Sequence, residues 1–520
     1  MAVALQDLPG IPAGHKFALR DIAEGEDIIK YGNPIGHATR NIRKGELVDH
    51  HNIATNLSGT IDYSGLSPDP TDSPPACQIH SAPSRKGRAG GESEASFSFL
   101  GYPRPDGQVG IRNDIWVIPT VGCVNGICRQ IVERARRDSP PALPFREGAV
   151  TNDSEEITAC QIHSAPSRKG RAGGESTILY FPHNYGCSQL GDDHENTRLI
   201  LRDMVLHPNA GGVLVVGLGC ENNQPREFEK LLGNYDRKRI RFLISQEVEG
   251  DEVEAGVEIV KELYVQALTY ERVPTPLSYL RVGLKCGGSD GFSGITANPL
   301  LGAFSDWLCA QGGSTILTEV PEMFGAEHLL MRRAISDEVL QDTIHLINDF
   351  KEYYLSHGQP VGENPSPGNK AGGISTLEEK ALGCTQKSGT SPVVGVLKYG
   401  ERLSPTRAGL HLLSAPGNDL VASTALAAAG CQLVLFTTGR GTPFSTFVPT
   451  LKVSTNSDLA CRKPQWIDFN AGVLLDDVTM DKLLQQFASY VLDVVSGRSR
   501  TTAELHGNAE FAIFKTGVTL

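Results

Sequence analysis

The chain has 520 residues, of which 40% are hydrophobic and 56 are glycine, and its formal net charge at pH 7 is −12. This length exceeds what one hydrophobic core supports and predicts two to four domains, and the composition is typical of a glycine-rich α/β enzyme. The acidic charge disfavours a nucleic-acid groove, which needs a basic face, and no apolar run approaches the roughly 20 residues that span a bilayer.

Residues 1–60 are predicted to form a small β-rich domain, because short apolar runs alternate there with Gly and Pro turns. Residues 61–98 are rich in Ser, Pro and Gly without hydrophobic periodicity, which predicts a disordered linker. The first residues lack the basic and apolar segments of a signal peptide, so we expect a cytoplasmic protein. Its 11 cysteines are then expected to be thiols, some of them ligands.

An 18-residue segment occurs twice, letter for letter, at 76–93 within this linker and again at 159–176. The copies of a structural repeat drift in sequence, and a stable array needs about three or more of them. An identical pair therefore indicates an inserted or duplicated segment. Its small, basic and Pro/Gly-rich composition predicts disorder, and a basic docking tag is the functional alternative.

From residue 99 onward, predicted strands alternate with predicted helices, which indicates a parallel-sheet, Rossmann-like α/β architecture. We place a central catalytic α/β domain at 99–375, which includes the second copy of the repeat, and a C-terminal α/β domain at 376–520. Ligands of open α/β sheets bind beyond the carboxyl ends of the strands, where the polar clusters of this chain fall.

The densest polar cluster, at 183–196, stands between a predicted strand and a predicted helix. It contains two imidazoles, one thiol and three carboxylates. His183 and His194 are candidates for acid, base or metal ligand. Asp192 and Asp193 also fit the first turn of a helix, where the helix dipole favours carboxylates, so a structural role stays open for them.

Cysteines stand at four predicted strand ends, namely Cys123, Cys187, Cys220 and Cys286. A single free cysteine is most often a small buried hydrophobic residue. Four at equivalent positions favour a shared role, although the sequence does not establish that they converge.

Two glycine-rich loops are predicted to bind an anionic ligand. In residues 285–294, Lys285 supplies charge and backbone N–H groups can surround a carboxylate or a phosphate, and Lys285 is also a candidate base. In the loop 439–442, Arg440 can hold a carboxylate with two parallel hydrogen bonds. The P-loop pattern is absent and the dinucleotide fingerprint near Gly217 is incomplete, which disfavours a nicotinamide-linked oxidoreductase.

A set of ordered motifs resembles the altronate/galactarate dehydratase family over nearly the whole chain, apart from the inserted segments. The matching segments are 110–113, 119–123, 183–189, 285–290, 364–369, 415–419 and 437–443. Residues 1–60 resemble the small SAF-type domain that precedes the catalytic part in this family, and Gly14-His15-Lys16 and His50-His51-Asn52 lie at its recognisable positions.

The resemblance implies a hydro-lyase that removes water from a sugar acid with Fe²⁺, or alternatively Mn²⁺, as the metal. For D-altronate the product would be 2-dehydro-3-deoxy-D-gluconate, a step in hexuronate catabolism. Galactarate is the alternative substrate, and a catalytically inactive sugar-acid-binding relative is the alternative from another class of protein. We expect no nucleic-acid or membrane partner, and a homodimer as the assembly.

The expected functional residues combine these loops with the resemblance. They are His183, His194 and Lys285 for catalysis, Ser289, Asp290, Asn418, Arg440 and Thr442 for substrate binding, and His15, His51, Cys123 and Cys187 for the metal.

Overall fold

The computed structural model describes residues 1–57, 59–63, 65–68, 97–138, 177–404 and 407–517. Both copies of the 18-residue repeat lie outside these residues, so their predicted disorder stays a prediction. Within the described residues, a small antiparallel β domain precedes a large parallel-sheet α/β region, which confirms the predicted multi-domain α/β class. No helix of the described chain is long and apolar enough to cross a membrane.

The N-terminal domain consists of two small antiparallel sheets, because turns interrupt its strands after two to six residues. The sheets have the orders β1-β2-β5 and β3-β4-β6. Their strands are β1 (Ala2–Val3), β2 (Lys16–Phe17), β3 (Asp27–Lys30), β4 (Asn33–Ala38), β5 (Leu47–Val48) and β6 (Ile53–Ala54). Ala381 and Leu382, from a helix far along the chain, complete its hydrophobic core.

The middle unit contains a parallel sheet of four strands in the order β10-β9-β11-β12, flanked by a small antiparallel sheet in the order β13-β7-β8. Buried Val and Ile side chains of β9 and β11 pack against α1 and α4. The elements are β7 (Ser98–Pro103), β8 (Val109–Gly110), β9 (Asp114–Pro119), α1 (Asn125–Asp138), β10 (Ile178–Tyr180), α2 (Gly191–Val205), β11 (Ala210–Gly217), α3 (Pro225–Leu231), β12 (Ile240–Ile244), α4 (Glu252–Ala267) and β13 (Val273–Pro276).

The last unit contains a parallel sheet of seven strands in the order β16-β17-β15-β14-β18-β19-β20. Its strands are β14 (Arg281–Cys286), β15 (Ser314–Leu317), β16 (Val393–Leu397), β17 (Gly409–Leu413), β18 (Leu433–Thr438), β19 (Thr450–Ser454) and β20 (Phe469–Asn470). Its helices are α5 (Ala297–Ala310), α6 (Glu327–Met331), α7 (Asp337–Ser356), α8 (Pro367–Ala371), α9 (Leu377–Thr385), α10 (Asp419–Ala428), α11 (Ser457–Arg462), α12 (Met480–Val495) and α13 (Thr502–Leu505).

The boundary that we predicted between residues 375 and 376 falls inside this seven-stranded sheet, since β14 and β15 precede it and the other five strands follow it. The two α/β units instead separate between α4 and β14. Strands and helices alternate on both sides of the predicted boundary and of the observed one, so the sequence pattern does not show which strands share a sheet.

The strand order reverses between β9 and β11 in the four-stranded sheet and between β14 and β18 in the middle of the seven-stranded sheet. The loops that follow such strands diverge and leave a crevice at the carboxyl edge of the sheet. The polar loops singled out in the sequence lie at these two edges.

Candidate active site at the carboxyl edge of the seven-stranded sheet

Lys285, fully buried in β14, is the centre of a charged network at this edge. Its Nζ donates to Glu319, to Asp419 Oδ1 at 2.8 Å and to the Cys286 carbonyl oxygen at 2.7 Å. Burial disfavours the ammonium, but the charges of Glu319 and Asp419 outweigh it and raise the pKa of Lys285 far above its usual value. Lys285 therefore carries a proton at neutral pH, and in this state it cannot accept another.

Glu319 adopts a φ of 70°, in the left-handed region that non-glycine residues rarely occupy. This conformation follows the end of β15 and accompanies a carboxylate with no exposed area. Lys387 Nζ binds its second oxygen at 2.8 Å. Backbone strain of this kind persists where the surroundings hold it and is frequent at functional sites.

The network continues to two thiols. Cys286 Sγ lies 3.3 Å from Cys384 Sγ on α9, and Glu322 Oε2 lies 3.2 Å and 3.1 Å from the two sulfurs. Lys387 Nζ approaches Cys286 Sγ to 2.7 Å, and Lys380 Nζ binds Glu322 Oε1 at 2.5 Å. Burial alone would raise the pKa of Glu322, but Lys380 and the neighbouring lysines lower it to about 2.

Asp419 is the member of this network that reaches the surface, with 37% of its side chain exposed. A Cβ at Gly287 would lie 2.6 Å from both of its carboxylate oxygens, so only glycine fits at that position. A Cβ at Gly288, whose φ is +61°, would lie 3.8 Å from Arg440 Cβ. Asp419 and Arg440 thus flank the Gly287–Gly288 pair. The sequence reasoning missed Asp419, because an aspartate at a helix start reads as a dipole partner.

The predicted substrate-binding residues all lie on loops of this edge, in two environments. Arg440 is exposed, and its Nη2 donates to Asn369 Oδ1 at 2.6 Å. Thr442 is half-buried and accepts from the Phe444 N–H at 3.3 Å. Asn418 is exposed and caps α10, where its side chain accepts from two backbone N–H groups.

Ser289 and Asp290 lie deeper in the same loop. Ser289 Oγ is buried and has no hydrogen-bond partner. The carboxylate of Asp290 accepts from Thr455 Oγ1 at 2.8 Å and from Asn456 Nδ2 at 3.0 Å, so it ties the β14 and β19 loops together. Burial outweighs these hydrogen bonds and raises the pKa of Asp290.

The N-terminal domain covers this edge. Lys16 and Lys30 bind the two carboxylate oxygens of Glu379 on α9 at 2.8 Å and 2.6 Å, and all three side chains are buried. The two lysines outweigh burial and lower the pKa of Glu379 to about 2. A Cβ at Gly291 would lie 1.8 Å from the Gly14 carbonyl oxygen, which shows how closely the two backbones approach.

Imidazoles of the N-terminal domain lie near this contact. Asp49, His50 and His51 form a group whose potential ligand atoms all lie within 4.8 Å of one another. The pairing of Lys16 with Val48, continued by one residue, sets His15 opposite Asp49. Burial lowers the pKa of His50, and the charges of His51 and Lys370 lower it further, so Lys370 on α8 lies close by.

His183 and His194 lie instead at the carboxyl edge of the four-stranded sheet. The buried His183 uses both ring nitrogens: Nε2 lies 2.8 Å from the Pro119 carbonyl oxygen and Nδ1 accepts from the Tyr185 N–H at 3.1 Å. Burial lowers its pKa to about 4, so the ring is neutral. His194 is half-buried, and burial lowers its pKa. None of the residues that hydrogen-bond to His183 also hydrogen-bonds to Lys285, so the two side chains belong to separate networks.

The four strand-end thiols do not converge. Cys123, Cys187 and Cys220 are exposed at the four-stranded edge, whereas Cys286 is buried at the other edge. The four predicted metal ligands divide in the same way, with His15 and His51 on the N-terminal domain and Cys123 and Cys187 on the middle unit. The sequence pattern marks strand ends but not the sheet to which each strand belongs.

Three family models together match most of the chain. Residues 3–56 match the altronate/galactarate dehydratase SAF domain, residues 101–268 match the second domain of D-galactarate dehydratase/altronate hydrolase, and residues 277–519 match the C-terminal domain of D-galactarate/altronate dehydratase.

Full-length relatives agree with these matches. The chain is 52% identical over 519 residues to a protein named altronate dehydratase from Bacillus subtilis (strain 168), covering 100% of this chain and 94% of the relative. It is 50% identical to the altronate dehydratase of Escherichia coli (strain K12), covering 98% and 92%. With the galactarate dehydratase (L-threo-forming) of the same organism the identity is 33%, covering 98% and 91%.

Proposed function

The chain belongs to the altronate/galactarate dehydratase family, and we propose that it dehydrates D-altronate to 2-dehydro-3-deoxy-D-gluconate in hexuronate catabolism. One observation carries the choice of substrate: the identity is 52% and 50% with two proteins named altronate dehydratase but 33% with a galactarate dehydratase. These three relatives are named as dehydratases, so the enzyme is a carbon–oxygen lyase.

The reaction places three demands on a site. The C2 proton lies next to a carboxylate and is barely acidic, so its removal needs a positioned base. The enediolate that forms carries extra negative charge, which fixed cationic groups stabilise. The C3 hydroxyl leaves as water and needs a proton.

Arg440 is our candidate for holding the carboxylate of the sugar acid. It is exposed, and the hydrogen bond to Asn369 fixes one of its nitrogens while other donors stay free for a ligand. Lys370, on the same short helix as Asn369, adds positive charge beside His50. Arg440 also borders Gly288 of the Gly287–Gly288 pair.

Asp419 is our candidate base, since it is the exposed carboxylate of the network and lies on the other side of the same glycine pair. Lys285 orients Asp419 and stays protonated, so it contributes positive charge where the enediolate develops. Lys285 is thus a positioning residue in this proposal.

A ferrous or manganous ion is part of the proposal. Asp49, His50 and His51, with His15 opposite them, offer the carboxylate and imidazole ligands that such ions accept. Cys286, Glu322 and Cys384 fit less well, because Lys380 and Lys387 already occupy Glu322 and Cys286. When bound, the ion supplies Lewis-acid stabilisation of the negative charge.

The proposal is tested by keto-acid release from the purified full-length protein under anaerobic conditions with Fe²⁺. D-altronate, galactarate and D-gluconate are compared, and we expect turnover of altronate. Release of a keto acid from galactarate alone would contradict altronate as the substrate. Release from none of the three sugar acids would contradict dehydratase activity. Arg440→Gln should raise KM for altronate by about tenfold or more, the loss of one charged hydrogen bond, whereas Arg462→Gln on α11 should leave KM unchanged.

We further infer a cytoplasmic location and a homodimeric assembly. Support for the location comes from eight of the nine described cysteines, which carry free thiols of the kind that persists in reducing compartments. Fractionation of the native host and light scattering of the purified protein measure these two properties.

A further inference from the structure

Three thiols at the carboxyl edge of the four-stranded sheet have no part in the proposed reaction. Cys123, Cys187 and Cys220 are exposed. The other free cysteines of the described chain are buried or half-buried, as free cysteines usually are. They are Cys128, Cys286, Cys309, Cys384 and Cys431.

The strand register places the three loops that carry these thiols next to one another. Pro119 of β9 pairs with Val216 of β11, and Cys123 and Cys220 each stand four residues beyond that pair. Cys187 follows β10, which neighbours β9 on its other side. Adjacent strands lie about 4.8 Å apart, so the three cysteines follow three consecutive strands at the place where the strand order reverses.

Backbone hydrogen bonds join the three loops. The Gly122 N–H donates to the Tyr185 carbonyl oxygen at 2.9 Å, and the Asn223 N–H donates to the Gly186 carbonyl oxygen at 3.0 Å. A Cβ at Gly186 would lie 2.1 Å from a backbone oxygen of the β9 loop. The segment with Cys187 is therefore in direct contact with both neighbouring loops.

A buried polar atom without a partner lies in one of these loops. Asn223 Oδ1, in the loop of Cys220, is buried and accepts no hydrogen bond from the described residues. Such atoms are rare in native proteins, and each of them calls for a polar or charged partner. This observation is independent of the thiols.

We propose that Cys123, Cys187 and Cys220 bind an iron–sulfur cluster as thiolates, with one iron left accessible from solvent. Thiolates select soft metals and iron–sulfur clusters, and coordination removes the thiol protons. In the described structure the three sulfurs do not form a group whose atoms all lie within 4.8 Å. A single zinc ion with metal–sulfur bonds of about 2.3 Å would need the sulfurs closer together, whereas a cluster of several irons accommodates ligands that lie further apart.

This inference concerns a different edge from the proposed active site and does not depend on the dehydration reaction. The full-length protein is purified anaerobically from cells supplied with iron. Iron and acid-labile sulfide per chain are measured, together with visible absorption and electron paramagnetic resonance after reduction. We expect iron and labile sulfide in comparable amounts, with the charge-transfer absorption of a cluster.

Single variants locate the cluster. Cys123→Ser, Cys187→Ser and Cys220→Ser should each lose most of the labile sulfide and the absorption, while Cys309→Ser, which changes a half-buried thiol on α5, should retain both. Circular dichroism confirms that each variant is folded, as expected for exposed loop positions. Native thiol alkylation adds a readout on the unaltered chain, because the three cysteines should become reactive only after chelation of the iron.

Three results would overturn the proposal. These are iron without labile sulfide, zinc in place of iron, and a cluster signal that survives in the three serine variants.

Discussion

The carboxyl edges of the two parallel sheets share a topology and differ in what covers them. At the seven-stranded edge the N-terminal domain packs over α9, and the buried charged groups there are paired with one another. At the four-stranded edge the thiols are exposed and His183 is neutral. A covered edge can keep charges only as pairs, since desolvation of an unpaired ion is expensive. The two edges therefore differ because the N-terminal domain packs on only one of them, and not because of the sheets themselves.

The largest effect is expected from Lys285→Met, which leaves Glu319 and Asp419 without their shared partner. We expect kcat to fall about 10²–10³-fold, the usual loss for one electrostatic donor. The free energy of unfolding should fall by about 3–5 kcal/mol, because one side of a buried ion pair remains. Turnover assays and urea denaturation measure the two effects.

The exposed pair of Lys230 and Glu227 provides the control for that change. Lys230→Met should alter the free energy of unfolding by no more than about 0.5 kcal/mol. Nearly normal turnover of Lys285→Met would show that the buried network serves folding alone and would remove the chemical contrast between the edges.

Glu379→Ala tests the cover itself. It leaves Lys16 and Lys30 buried without a counter-ion, so we expect a loss of about 3–5 kcal/mol in the free energy of unfolding. Limited proteolysis should also cut the N-terminal domain more readily in the variant. Glu26→Ala, which breaks a surface pair with Arg20, is the matched control. Equal stability of the two variants would contradict a locked cover.

The two edges should respond to acid in different pH ranges. His183 has a pKa of about 4 in the folded protein against an ordinary 6.5. Between these values the unfolded chain binds the extra proton, so this contribution is present above about pH 6.5 and is lost as the pH falls towards 4, up to about 3 kcal/mol. Glu379, with its pKa lowered to about 2, stabilises above about pH 4.5 and loses that contribution as the pH falls towards 2.

Urea midpoints measured from pH 7 to pH 3 separate the two contributions. His183→Gln should flatten the curve between pH 6.5 and 4 only, and Glu379→Gln should flatten it below about pH 4.5 only. A His183→Gln curve parallel to that of the unaltered protein would contradict a neutral, buried imidazole.

The smallest effect on turnover is expected at His183 itself. A role as base, which the sequence suggested, predicts a loss of about 10²-fold in kcat for His183→Ala. Both ring nitrogens are engaged by backbone groups, so we expect instead a loss of about 1–3 kcal/mol in stability with kcat nearly unchanged. His194→Ala is the comparison within the same edge. A dead but stable His183→Ala protein would move the chemistry to the four-stranded sheet.

The sequence predicted the α/β class, the N-terminal domain and the loops that form both edges, because strand ends and glycine-rich turns are local patterns. It missed Glu379, because 363 residues separate it from Lys16 and a glutamate in the first turn of a helix has an ordinary local explanation. It missed Glu322 and Cys384 for the same reason. Contacts across such distances depend on which strands share a sheet, and that information is not local.

Helix α9 has a further consequence, since all nine of its residues are buried. Glu379 faces the lysines of the N-terminal domain, and the next residue, Lys380, faces Glu322 on the other side. One residue turns a helix by about 100°, so an insertion before Glu379 would turn it towards Glu322, and a deletion there would turn Lys380 towards Lys16 and Lys30. The two adjacent residues of opposite charge therefore fix the rotation of α9 about its own axis. Substitutions, insertions and deletions along α9 should be poorly tolerated, even when they preserve its composition.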